Sequence, residues 1–301
     1  MLAHTFVNTC RKFIRFKADY NSNIGIKLAV AVIYWTLLRQ HMSESDYMIN
    51  VKEKRPLVHH ITNYVTVNDC ANVTICAGGS PVMSDEALDI VDITRISSAL
   101  VLNMGTLNER TVKSIILSGK IANENGIPVV FDPVGVGASA YRNQVADRVL
   151  SEVKVDVIKG NAGEIGVLSG VGGEVRGVDS VSSNNERVAT ETLAKKYNCI
   201  VAMTGETDYI SDGTTTITLR NGVPMMDCVS GTGCMASSVV GCYVGANGVS
   251  VGSVAAAISA FSIAGELALP VSNGPGTFKM NLMDALFNLT AEQFDSRRKA
   301  E

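Results

Sequence analysis

The chain has 301 residues, of which 46% are hydrophobic and 18% charged, against about 25% charged in an ordinary globular domain, so it can bury a core without staples and does not fit a natively unfolded protein. Lysine and arginine number 26 and aspartate and glutamate 29, a net charge of -3 with no run of like charges that could follow a phosphate backbone, which argues against a nucleic-acid partner. Seven cysteines form no C-x-x-C pair and four histidines make no zinc-type cluster, so the thiols are read as reduced and the compartment as cytoplasmic.

At the amino-terminal end, the basic residues Arg11, Lys12, Arg15 and Lys17 precede an uncharged, mostly apolar run from Leu28 to Leu38. That order resembles a targeting leader or an anchor. The run is only about half of the roughly 20 residues needed to cross a bilayer, and no A-x-A cleavage site follows it. The expectation is an appended, poorly ordered extension and no membrane segment.

From Leu57 onward, short β-branched runs alternate with helical patterns. Leu57 to Ile61, Ala99 to Leu102, Val129 to Asp132, Val155 to Lys159 and Cys199 to Thr204 predict strands. Helices are predicted over Asn108 to Asn125, Arg142 to Glu152 and Asn185 to Tyr197. This alternation predicts an α/β fold whose mostly parallel sheet is covered by helices on both faces. Tyr209 to Arg220 differs, since Asp212-Gly213 favours a hairpin and hence a small antiparallel edge. From Cys228 to Gly265 no residue is charged. Ala246-Asn247-Gly248 splits that run, and its Gly, Ala and Ser residues are weakly hydrophobic, so two buried helices are favoured over a membrane span. With no repeats and no low-complexity linker after residue 50, one domain is expected.

Four predicted strands end in residues unsuited to packing: Asn103, Gly105 and Thr106; Asp132, Pro133, Gly135 and Gly137; Lys159, Gly160, Asn161 and Glu164; Thr204, Gly205 and Glu206. Ligands of open α/β sheets bind beyond the carboxyl ends of the strands, so these ends predict one crevice. Ser230-Gly231-Thr232-Gly233-Cys234 leads straight into the uncharged helix. Its glycines permit a sharp turn and close approach, and its first N–H groups suit a phosphate or an oxyanion. A tight turn before a packed helix is the alternative. Gly231, Gly233 and Ala236 also fit a permissive dinucleotide fingerprint, but no acid for a ribose follows before Glu266. Cys234 at the helix start is expected to have a lowered thiol pKa. A role as proton acceptor fits it better than a Cys-His pair with His59 or His60, and an inert buried thiol is the alternative. Asp132, Asn161 and Glu164 are oxygen ligands of the kind Mg²⁺ accepts, yet Asn161 and Glu164 are equally spaced for capping a helix.

Taken together, PLVHHITNYVT at Pro56 to Thr66, AGGSPVMS at Ala77 to Ser84, LNMGTL at Leu102 to Leu107, DPVGVGAS at Asp132 to Ser139, IKGNAGEI at Ile158 to Ile165, TGETDYI at Thr204 to Ile210, SGTGC at Ser230 to Cys234 and GPGTF at Gly274 to Phe278 resemble the hydroxyethylthiazole kinase family. That family is the thiamine-salvage branch of the ribokinase-like superfamily. The resemblance implies a three-layer αβα ribokinase-like fold and Mg²⁺-dependent transfer of the γ-phosphoryl group of ATP to the alcohol of 4-methyl-5-(2-hydroxyethyl)thiazole. It implies that Met83, Asn63 and Gly231 bind the thiazole, that Lys159, Thr204 and Gly233 bind ATP, and that Asp132 and Glu164 organise the metal through water. Cys234 would be the catalytic residue. Lys159 stands where some members carry Arg, which keeps the charge and loses the bidentate fork. A homotrimer with sites shared between subunits is also implied. Family members begin near the equivalent of Met42 or Met48, so residues 1–47 are expected to be an extension of little fixed structure or a non-native leader, and residues 48–301 the kinase domain. The same-fold rivals are a hydroxymethylpyrimidine kinase and an ATP-dependent repair dehydratase; Cys234 in place of Asp and the Ser80-Pro81-Val82-Met83 segment favour the thiazole enzyme. A dinucleotide-binding oxidoreductase and a catalytically silent binding homologue are the remaining alternatives.

Overall fold

A computed structural model describes residues 43–171 and 183–301; the basic and apolar leader segment, and all but residues 43–47 of the expected extension, lie outside the described residues. In chain order the elements are α1 (Asp46–Lys54), β1 (Leu57–Ile61), α2 (Val67–Ala77), β2 (Ser80–Met83), α3 (Ile90–Ile96), β3 (Ala99–Asn103), α4 (Glu109–Glu124) and β4 (Val129–Asp132). They continue with α5 (Ala140–Glu152), β5 (Val157–Asn161), α6 (Ala162–Ser169), α7 (Ser183–Tyr197), β6 (Ile200–Thr204), β7 (Asp208–Ser211) and β8 (Thr216–Leu219). The last helices are α8 (Thr232–Asn247), α9 (Val251–Ala268), α10 (Pro275–Asn288) and α11 (Ala291–Arg297). Helix α1 takes in Asp46 and Tyr47, so the folded unit reaches upstream of the expected boundary: the Ser45 hydroxyl donates to Asp295, and Asn247 donates to the carbonyl of Tyr47.

The strands form one sheet in the order β2-β1-β3-β4-β5-β6-β7-β8. The ladders from β2 through β6 are parallel, and β7 and β8 add the predicted antiparallel hairpin. Alternation along the strands divides their side chains between two cores. Val58, Val101, Val130, Val157 and Ala202 join α8, α9 and α10 on one face. Ile61, Leu100, Leu102, Phe131, Ile158 and Val201 join α4 to α7 on the other. Both faces are apolar because both are covered, which is why these strands read as continuous hydrophobic runs. The outcome is the expected three-layer αβα arrangement.

The uncharged segment forms α8 and α9, joined at Gly248 and reopened by Ser250, whose hydroxyl accepts from the Ser253 amide in a capping box. Segment Val251–Val271 is apolar and long enough to cross a membrane, yet every residue from Ser253 to Gly265 is buried inside the protein. Helix α8 lies directly on the sheet. A Cβ on Gly241 would come within 2.7 Å of Val101 and 3.0 Å of Val58, so the absence of a side chain there sets how closely α8 approaches β1 and β3. Sequence patterning missed β2, whose four half-buried residues include a proline and pair on one side only. Gly241→Val should overpack this contact and cost about 1–3 kcal/mol, read as a fall of several degrees in thermal denaturation midpoint.

Candidate active site

The carboxyl ends of β3, β4, β5 and β6 are neighbours, with Asn103 in register with Asp132 and Asn161 with Thr204. Helix α8 starts above them. Its N-cap, Gly231, holds φ +88°, and a Cβ there would lie 2.3 Å from the Thr66 methyl. No side chain caps this helix, so its first amides keep their donors for another group. Gly233 is exposed, and a Cβ on it would sit 3.1 Å from the Lys159 ammonium. The glycines therefore clear the ground in front of a positive helix end, as the sequence motif predicts.

Lys159 is only 3% exposed, and among the described residues its ammonium has no hydrogen bond or ion pair. Asp132 and Asp208 both respond to its charge from beyond contact distance. Burial pushes the Asp132 carboxyl up to about 6, with Lys159 opposing and Glu164 adding to the rise. Burial likewise pushes Asp208 up to about 7, against the Gly205 N–H that it accepts and the charge of Lys159.

A chain of amides and carboxylate surrounds Cys234. Asn63 and Asn103 each direct Nδ2 at its Sγ, at 3.4 and 3.2 Å. Asn103 also donates to Asp132 Oδ2 at 2.9 Å, and its own Oδ1 accepts from Asn63 Nδ2 and from the Gly105 N–H. Ser237, one turn into α8, donates to the same Asp132 oxygen at 2.7 Å. Burial and the nearby Asp132 carboxylate push the Cys234 thiol up. This corrects the expectation of a lowered thiol: desolvation and a like charge outweigh the Lys159 charge and the hydrogen bonds from Asn103 and Thr66. His59 and His60 bond to other groups, so no Cys-His pair forms with Cys234.

Glu164 realises the capping alternative. Its Oε2 accepts from the Asn161 N–H while Asn161 Oδ1 accepts from the Glu164 N–H, and its Oε1 accepts from the Gly135 N–H at 2.8 Å. With one oxygen of Asp132 also engaged, neither carboxylate is free to chelate, and no group of three or more His, Cys, Asp or Glu converges among the described residues. The pair fits a cation that keeps most of its water and takes its other ligands from phosphate.

Met83 and Thr204 flank this centre. Met83 is half-buried at the end of β2, paired with His60, and Thr204 directs its hydroxyl at the carbonyl of Gly160. Sequence reasoning placed Asn103 at a strand end without assigning it a role, and missed Thr66, Asp208, Ser237 and Arg142. The Arg142 guanidinium donates to the carbonyls of Met104, Gly105 and Val134, tying the loops after β3 and β4 together. Glu266, the first acid after the Gly-x-Gly turn, bonds Asn221, Gly222 and Lys299 instead. A cavity of about 480 Å³ lies elsewhere, lined by Lys154, Asp156, Cys199, Asp212 and Val251, and contains none of the site residues.

Residues 48–292 match the hydroxyethylthiazole kinase family. The hydroxyethylthiazole kinase of Clostridium beijerinckii is 49% identical over 259 residues, covering 83% of this chain and 93% of its own. That of Methanocorpusculum labreanum is 52% identical over 246 residues, covering 81% and 92%. The solved hydroxyethylthiazole kinase of Pyrococcus horikoshii superposes with a TM-score of 0.80 at 36% identity, over 86% of this chain and 98% of that one. A ribokinase-like protein of Enterococcus faecalis shares the fold at 11% identity with a TM-score of 0.57.

Ionising the buried Asp132 opposes folding, so the stability tied to its raised pKa is complete below its unfolded value of 3.8 and is lost as pH rises through about 6. Asp132→Asn should therefore gain about 2 kcal/mol relative to the unmodified protein between pH 4 and pH 7, measured by denaturant unfolding at both values.

Proposed function

This chain belongs to the hydroxyethylthiazole kinase family, and from that premise we propose that it transfers the γ-phosphoryl group of ATP to the hydroxyl of 4-methyl-5-(2-hydroxyethyl)thiazole in thiamine salvage. The observation that carries this reading is Lys159, enclosed along its side chain while its ammonium has no partner among the described residues, beside the glycine-cleared start of α8. Both features favour an anion, and together they suit a polyphosphate. The alcohol oxygen attacks the γ-phosphorus, the bond to the β–γ bridging oxygen breaks, ADP leaves, and the alcohol proton passes to Cys234 or to water. Because the transition state is loose, positioning and charge cancellation supply most of the rate.

Lys159 and the amides of Gly233 and Cys234 hold the transferring phosphate, with Thr204 on the nucleotide side. Asn63, Met83 and Gly231 hold the thiazole. A bound Mg²⁺ would neutralise the phosphates, and Asp132 and Glu164 would hold it through water. The enzyme acts as a cytoplasmic homotrimer whose sites lie between subunits. The exposed Tyr64 and Val65, immediately after Asn63, support that assembly.

Mixed with Mg-ATP and the thiazole alcohol, the protein should yield the phosphate ester by mass, and Gly233→Val, whose side chain meets the Lys159 ammonium, should yield none. Absence of ester from the unmodified protein refutes the proposal. With its thiol pushed up, Cys234 accepts a proton only through its small thiolate fraction, so kcat should rise with pH and still be rising at the ordinary thiol value of 9.0. Cys234→Asp should keep or raise kcat at pH 7 and flatten that profile, whereas a fall of about a hundredfold would exclude a base that a carboxylate can replace.

A further inference from the structure

Two buried histidines, adjacent in the sequence, remain outside the chemistry described so far. His60 turns into the α8 side of the sheet, toward Thr74 and its own strand's Val58 carbonyl. His59 points the other way. Fully buried, it directs Nε2 at the carbonyl of Ser84 at 3.0 Å and Nδ1 at the Thr94 hydroxyl at 3.1 Å. A carbonyl only accepts, so Nε2 carries the proton, and Nδ1 accepts from Thr94.

The position of Ser84 gives this bond its meaning. Strand β2 is the edge of the sheet, and its ladder to β1 ends with the pair His60 and Met83. Beyond Met83 no strand holds the backbone, and side chains do so instead. His59 takes the Ser84 carbonyl, and the Ser84 hydroxyl donates to Asp89. Arg110 forks onto the Asp85 carboxylate at 3.0 and 2.8 Å, and Ser114 donates to the Asp85 carbonyl at 2.7 Å. Among the described residues, only His59 grips the residue directly after Met83 from inside the sheet, and it stands on the strand that also leads to Asn63.

We propose that His59 is a positioning residue for the acceptor substrate, fixing Met83 as a wall of the thiazole pocket through its ring N–H on the Ser84 carbonyl. The role rests on the kinase reading above. It places control of acceptor binding in a buried side chain that touches neither substrate.

Geometry supplies a discriminating pair of variants. In glutamine the amide nitrogen is as many bonds from Cα as His Nε2, whereas in asparagine it matches Nδ1. His59→Gln can keep the Ser84 bond, and His59→Asn can reach only Thr94. We expect His59→Asn to raise the thiazole KM about tenfold while kcat and the ATP KM stay within twofold, the loss of one buried hydrogen bond. His59→Gln should stay within twofold on all three. In parallel, a glutamyl endopeptidase should cut after the exposed Glu86 several-fold faster in His59→Asn than in His59→Gln. Equal thiazole KM values in the two variants, or an ATP KM that rises in step, overturns the proposal. An unmodified protein that makes no ester overturns the kinase reading and this role with it. An active unmodified protein whose two variants are cleaved alike overturns the His59 clamp alone.

Discussion

A lysine whose side chain is almost wholly enclosed, with its ammonium facing the crevice and no partner against it among the described residues, carries a charge that the protein does not balance, and the carboxyl end of this sheet is arranged around one. Lys159 rises from β5 into a place where Asp132 and Asp208 lie near enough to act on it but too far to pair. Beside it the uncapped start of α8 adds partial charge of the same sign. Two positive features side by side, each lacking a counter-charge, make a site that is electrostatically incomplete until an anion arrives. A side chain at position 233 would come up against the Lys159 ammonium.

The groups around that centre follow a different rule. Asn103, Glu164 and Arg142 spend their hydrogen bonds inside the protein: on Cys234, Asp132 and Asn63; on the amides of Asn161 and Gly135; on three loop carbonyls. Satisfied groups of this kind hold loops still. Reactivity is left to the few atoms that are not satisfied, and that contrast separates scaffold from chemistry more sharply than residue type does.

Much of this was legible in the sequence, and the reasons are physical. Strands β1 and β4 and the α8–α9 pair appeared close to their final bounds, because β-branched runs and an uncharged stretch leave little choice of state. The crevice was legible because polar residues at four strand ends have no packing role. What failed was whatever depends on distance in space. Cys234 reads as an activated thiol by its place on a helix, but burial and Asp132, distant in sequence, reverse the direction. Asn103 reads as a plain strand end, since nothing local announces that Asn63, Asp132 and Cys234 converge on it. Strand β2 was invisible because four residues with a proline and one neighbour carry almost no periodic signal.

That last strand also bears on how such an enzyme changes over time. Asp132, Lys159 and Thr204, the strand residues proposed to serve the metal and the nucleotide, stand on β4, β5 and β6, each flanked by strands on both sides, where a substitution disturbs two ladders at once. Met83 stands on a margin with a single neighbour, whose backbone is steadied by side chains rather than by a second strand. Under the proposed role of Met83, a lineage could remodel that margin to admit a differently shaped alcohol while the strands bearing Asp132, Lys159 and Thr204 stayed untouched, so the freedom to acquire new acceptors would be concentrated at an edge of the sheet.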